Sequence, residues 1–194
     1  MIDDCTAIIL AGGESRRMGS DKAGLVLNGQ TLLQTVSATM QSLFPKSIVS
    51  VRQRRNDITL PQVCDGAADS GPLAGVAAAL QQVDTPWAFV VACDMPFIAP
   101  RMIELLAQLR GKHQAVVPRV QGRLQPLAAY YARDCSAIAQ RVLSGKGRHS
   151  LHALLELLDV RYVDEAQLNA VDPQLCSFFD LDTPQDVVAA QGVK

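Results

Sequence analysis

Most of what the sequence lacks narrows its function. No apolar run approaches the ~20 residues needed to span a bilayer, so no membrane partner is expected. The N-terminus, Met1-Ile2-Asp3-Asp4-Cys5, is acidic and lacks the positive region of a signal peptide. Together these absences make the cytoplasm the expected compartment. Cysteines stand at 5, 64, 93, 135 and 176, an odd number with no Cys-x-x-Cys. That argues against a disulfide framework or a zinc site, and most are expected to be small buried hydrophobes. The net charge of −1 gives no excess of cations to coat a nucleic acid. There is no internal repeat, low-complexity tract or linker, and no Ser-His-Asp arrangement is evident. The Walker spacing Gly-x-x-x-x-Gly-Lys-Ser/Thr and the dinucleotide fingerprint Gly-x-Gly-x-x-Gly are both missing.

What is present is a chain of 194 residues, 48% hydrophobic, enough for one domain, 1–194, with a sizeable core. Strand signals alternate with helical ones. Ala7–Leu10, Ser47–Val51, Gln62–Cys64 and the continuous apolar run Trp87–Cys93 read as strands. So do Ala115–Pro118, Leu124–Tyr131, Val160–Val163 and Ser177–Phe179, with Pro126 marking an edge or bulge. Helices are expected over Gln30–Phe44 after an Asn28-Gly29 turn, from Pro72 to about Val83, and from Pro100. Further helices are expected over Cys135–Leu143, over Ser150–Leu158 with Ser150 as cap, and from Thr183-Pro184 towards Gln191. Buried strands alternating with helices predict an α/β fold: a mostly parallel sheet with helices on both faces, three layers α/β/α. Ligands in such folds bind at the carboxyl ends of strands, near a topological switch.

The stretch from Leu10 to Lys22, Leu-Ala-Gly-Gly-Glu-Ser-Arg-Arg-Met-Gly-Ser-Asp-Lys, follows the first strand. Gly12, Gly13 and Gly19 allow a sharp turn and close backbone approach. Successive backbone N–H groups form a concave anion site, and Arg16, Arg17 and Lys22 add cations that match phosphate oxygens. A strand, a glycine turn and three cations describe a polyphosphate cradle. Asp65 and Asp94 also follow strand ends, so the three are expected to converge. Asp94 closes the most apolar strand, where an unpaired charge is costly. It reads either as a ligand for Mg²⁺, which takes a few carboxylates plus phosphate oxygens and water, or as the cap of the helix near Pro100. Asp65 reads either as an acidic contact or as a turn cap before Gly66. Most of the basic run Arg52-Gln53-Arg54-Arg55 reads as a solvated loop. His149 and His152 stand three apart without further ligands nearby in sequence, too few for a metal site to be the preferred reading.

Leu-Ala-Gly-Gly-x-Ser-x-Arg-Met-Gly-x-Asp-Lys resembles the signature loop of the molybdenum cofactor guanylyltransferases, part of a larger nucleotidyltransferase superfamily. The resemblance implies a Rossmann-like nucleotidyltransferase fold and transfer of GMP from GTP to the terminal phosphate of molybdenum-molybdopterin, releasing pyrophosphate. It implies Arg16, Lys22 and Asp94 as catalytic residues, with Asp94 holding Mg²⁺. Leu10, Ala11, Gly12, Gly13, Lys22, Asp65, Gly71, Pro72, Leu73 and Asp94 would bind GTP, with Gly13 against the base edge. Gln125-Pro126-Leu127-x-Ala-x-Tyr and Lys146-Gly147-Arg148-His149-Ser150-Leu151 are similar to family segments on the acceptor side. Gln125, Arg148, Asp180 and Asp182 are accordingly acceptor residues. The resemblance further implies other cofactor-biosynthesis proteins and apo-molybdoenzymes as partners. One departure stands out: family members commonly carry Asn-x-Asn-Thr-Pro where this chain has Asp180-Leu181-Asp182-Thr183-Pro184. That acidic version is more frequent in cytidylyl and sugar-phosphate transferases, which remain the alternative within the superfamily. A non-catalytic cofactor-delivery module is the alternative outside it, against which Lys22 and Asp94 together argue.

Overall fold

The computed structural model describes residues 1–12, 22–65, 71–181, 186 and 190. Four strands, β1 (Cys5–Leu10), β4 (Lys46–Val51), β5 (Gln62–Cys64) and β6 (Trp87–Ala92), run parallel in the spatial order β5-β4-β1-β6. The sheet continues through β9 (Ala128–Ala132) and β7 (Ala115–Val120) to β10 (Val160–Asp164), with the short β8 (Arg123–Leu124) paired to β7. β10 is parallel to β7, whereas β9 is antiparallel to both of its neighbours. The reason is connection length: only antiparallel strands can be joined by a tight turn. A separate hairpin of β2 (Val26–Leu27) and β3 (Gln30–Thr31) turns at Asn28-Gly29.

Because β1 and β6 are buried on both faces, their residues alternate between two cores. Ala7, Ile9, Phe89 and Val91 pack with Leu33, Val36 and Met40 of α1 (Leu32–Leu43) and with Met102, Ile103 and Leu106 of α3 (Pro100–Gln108). Ile8, Ala88 and Val90 face the other way, onto Leu73, Val76 and Leu80 of α2 (Gly71–Leu80). Cys135 and Ala139 of α4 (Cys135–Ser144) and Leu151 and Leu154 of α5 (Leu151–Leu155) complete that second layer. A short α6 (Glu165–Leu168) follows β10. Cys5, Cys93 and Cys135 are buried and Cys64 is exposed, all free thiols. Burial pushes the Cys135 thiol up to about 12, and Cys5 higher still, so both are inert apolar filler. Among the described residues no helix is long and apolar enough to cross a membrane.

Four expectations change. The helix expected from Gln30 begins at Leu32, because Thr31 caps it: its side chain accepts from the Gln34 N–H while the Gln34 side chain accepts from the Thr31 N–H. The strand expected over Leu124–Tyr131 is broken into β8 and β9 around Pro126, which has no N–H for the ladder. The Tyr131 hydroxyl donates to the Pro126 carbonyl at 2.9 Å and holds the break in place. The strand expected at Ser177–Phe179 is a 3-10 turn, Cys176–Phe178, anchored where the Ser177 and Cys176 N–H groups donate to the Asp172 carboxylate. Of the helix expected over Ser150–Leu158, only Leu151–Leu155 is helical, though Ser150 caps it by accepting from the Ala153 N–H. The last expected helix, from Thr183-Pro184, falls outside the described residues except at Asp186 and Ala190.

Candidate active site

The chain steps from β1 to β4 to β5 in one direction and then crosses back to place β6 on the other side of β1. The crevice between β1 and β6 is therefore the topological switch, the place where open parallel sheets bind ligands. All four parallel strands end on the same edge. The residues just past those ends, Gly12, Arg52, Asp65 and Asp94, line one cleft of about 320 Å³.

Lys22 and Asp94 form its centre. Lys22 opens a 3-10 turn, Lys22–Gly24, and its Nζ lies 2.8 Å from Asp94 Oδ2. Both side chains keep some contact with solvent, at 17% and 18% exposure, so this is a screened pair at the mouth of a cleft and not a sealed one. Two backbone bonds fix Asp94. The Cys93 N–H donates to the Leu10 carbonyl at 3.0 Å, and the Asp94 carbonyl accepts from the Leu181 N–H at 3.0 Å. Asp94 does not cap the helix at Pro100, the second reading of the sequence: the N-cap is Ala99, whose N–H donates to Ser177 Oγ. The Asp94 carboxylate thus ends a buried strand without a capping duty, paired with Lys22 in the cleft.

The opposite wall is built by close approach. A Cβ on Gly12 would lie 3.2 Å from the Arg52 nitrogen, and one on Gly75 would lie 2.8 Å from Ser50 Oγ and 3.2 Å from Leu10 Cδ2. Gly75→Ala gives up to about 1 kcal/mol of helix propensity, but overpacking against buried strands costs about 1–3 kcal/mol. The expected outcome is a lower melting temperature and a shallower cleft. A thermal melt at or above the wild-type midpoint would show that Ser50 and Leu10 give way freely. Gly71, first residue of α2, has φ +59°, a conformation glycine adopts without strain.

Of the residues expected at the nucleotide, Leu10, Ala11, Gly12, Lys22, Asp65, Gly71, Pro72 and Asp94 all line this cleft. Leu73 does not: it is fully buried in the core beneath α2, its side chain turned to Ile8 and the sheet by helix periodicity. Gly13 and Arg16 lie outside the described residues, as does Asp182. On the expected acceptor side, Leu127 reaches the cleft, because its carbonyl accepts from the Ala92 N–H at 3.1 Å. Gln125 stands beside it in the Pro126 break, its N–H donating to the Pro118 carbonyl. Asp180 precedes the residue bonded to Asp94. Arg148, in the loop after α4, does not line the cleft. Arg52 lines the cleft too, although the basic run that it opens reads in the sequence mostly as a solvated loop. The signal was its position immediately after a buried parallel strand, the position that singled out Gly12, Asp65 and Asp94. Among the described residues no group of three or more His, Cys, Asp or Glu side chains is arranged to hold a metal, His149 and His152 included.

A family model for the MobA-like NTP transferase domain matches residues 7–164. The chain belongs to the MobA-like NTP transferase family. The match runs from β1 through β10 and so takes in the glycine turn, Lys22, Asp65 and Asp94. Similar relatives include the molybdenum cofactor guanylyltransferase of Desulfosudis oleivorans, 33% identical over 98% of this chain and 96% of that one. That of Syntrophotalea carbinolica is 34% identical over 93% of this chain and 88% of its own. Among solved structures, the molybdopterin-guanine dinucleotide biosynthesis protein A of Archaeoglobus fulgidus superposes with a TM-score of 0.84 at 27% identity, covering 96% of each chain. As a MobA-like transferase the chain is a nucleotidyl-transferring enzyme.

Proposed function

We propose that the enzyme transfers GMP from GTP to the terminal phosphate of molybdenum-molybdopterin, forming the guanine dinucleotide form of the cofactor. The observation that carries the reading is the Lys22–Asp94 pair at the mouth of a cleft floored by Gly12 and Gly75. An acceptor phosphate oxygen forms a bond to the α-phosphorus, the bond from that phosphorus to the bridging oxygen breaks, and pyrophosphate leaves with the electron pair. Such a reaction needs positioning and charge neutralisation and no protein nucleophile. The turn at Leu10–Gly12 presents backbone to the nucleotide. Lys22 moves its ammonium from the Asp94 carboxylate to the phosphate oxygens, with Arg16 as a second cation. Asp65 receives the nucleotide from the β5 side. Gln125, Arg148, Asp180 and Asp182 are assigned to the acceptor, with the charge of Arg148 offsetting that of the two carboxylates.

The donor set fits Mg²⁺. Asp94 is a hard oxygen donor lining the cleft, too little alone for a self-sufficient metal cage, which suits a cation that completes its shell with phosphate oxygens and water. Asp94 would hold it, and once bound the ion would neutralise charge on the triphosphate. Exchange of labelled pyrophosphate into each of the four triphosphates, with molybdopterin supplied, tests the reading. Label is expected in GTP. Label in CTP would instead make the acidic Asp180–Asp182 segment the better guide to substrate.

A further inference from the structure

The reaction centre occupies the β1–β6 side of the cleft, which leaves the β4–β5 side for the part of the nucleotide that does not react. From β6 through β1 and β4 to β5 there are three strand spacings, together about 14 Å, enough to separate a triphosphate from its base. Two charged side chains stand at that far end. Asp65 follows β5, and its N–H donates to the Val51 carbonyl at 3.2 Å, which ties it beside Arg52. Arg52 follows β4, is half-buried, and lines the cleft. Its stem lies against Gly12, with Cγ 3.4 Å from where a Gly12 Cβ would be. Gly12 is thus the reason that a long side chain can lie across the first strand's turn and still leave the cleft open.

Resting on the guanylyl reading above, we propose that Arg52 is a specificity-determining residue that reads the O6/N7 edge of the base. Guanine offers two adjacent acceptors there, matched by the two-pronged guanidinium; adenine offers N7 and an N6 amino donor, which the fork repels. Guanine's other edge carries the N1 and N2 donors, which a carboxylate such as Asp65 accepts. A fork and a carboxylate at the two edges suit guanine and oppose adenine on both. A pyrimidine is narrower and reaches only one of them.

The test uses the full chain with Mg²⁺ and measures Kd for GTP, 7-deaza-GTP, ATP and CTP by calorimetry. Replacing N7 by carbon removes one acceptor and changes nothing else on the edge. Wild type is expected to bind GTP roughly 10-fold or more tightly than 7-deaza-GTP. Arg52→Met should bind both equally, and more weakly than wild type binds 7-deaza-GTP because the O6 contact is lost as well, with an unchanged melting temperature. Arg52→Lys, which keeps the charge and loses the fork, should also lose the distinction. Equal binding of GTP and 7-deaza-GTP by wild type, with GTP still preferred over ATP and CTP, overturns the Arg52 assignment alone. So does an equal loss of both ligands in Arg52→Met, which makes Arg52 a phosphate or packing contact. No preference for GTP over ATP and CTP overturns the guanylyl reading itself.

Discussion

Asp94→Asn should lower kcat/KM for guanylyl transfer by about 10²–10³-fold, equivalent to about 3–4 kcal/mol of transition-state stabilisation. The amide keeps the shape of the side chain and can still accept from Lys22, but it brings no charge to a cation on the triphosphate. Fold and fit should survive. The loop is held through the Asp94 carbonyl and the Cys93 N–H, which the substitution leaves alone. The lost ion pair is solvent-screened and contributes on the order of 1 kcal/mol. The expected signature is a melting temperature within a few degrees of wild type and turnover nearly abolished at any Mg²⁺ concentration. Wild-type turnover by the Asn variant would remove Asp94 from the reaction.

Lys22→Met should be nearly as damaging to turnover, about 10²-fold or more, and should have an opposite effect on metal binding. In the nucleotide-free enzyme the ammonium sits 2.8 Å from the carboxylate that a cation needs. Two cations cannot share one oxygen at that distance without strong repulsion. Removing the ammonium should therefore tighten nucleotide-free Mn²⁺ binding by about tenfold, ~1.4 kcal/mol, while weakening binding of GTP. Titration followed by electron paramagnetic resonance reads the first effect and calorimetry the second. If Mn²⁺ affinity is the same in Lys22→Met and wild type, the two cations do not compete for Asp94. Because both side chains belong to one unit, the double variant should lose far less than the sum of the single losses.

The layered fold was legible because Ala7–Leu10 of β1 and the whole of β6 are apolar runs, and a sheet covered on both faces accommodates them. What escaped was set by contacts distant in sequence or by single donors. Pro126 announced a break, but the bond from Tyr131 that holds it was invisible. The Ser177 turn forms because Asp172 collects two N–H groups, a local competition that strand-like residues do not reveal. At the site, residue types pointed to the glycine turn, Lys22 and Asp94, whereas Arg52 stands with two neighbouring cations in a polar run that reads mostly as a solvated loop. Only topology separates it from Arg54 and Arg55: it is the one next to the strand end. Leu73 shows the reverse error, a residue inside a site-like motif whose side chain the helix turns inward.

The order of strands also bears on how the active site comes into being during synthesis. β1 precedes the other described strands in sequence, yet its neighbours are β4 and β6, and Cys5 meets Trp87 across the sheet. The Lys22–Asp94 contact joins residues 72 apart in sequence. No N-terminal fragment that stops short of β6 can own a cleft, however well its glycine turn is made. Until then β1, even once paired with β4, leaves its other edge open on the nascent chain, the condition in which strands adhere to the wrong partner. Closing so distant a contact is slow, since loop entropy is lost before the pairing returns anything. A single-exponential refolding phase that carries near-UV dichroism and nucleotide binding together would be the mark of a site born in one late event, when β6 docks.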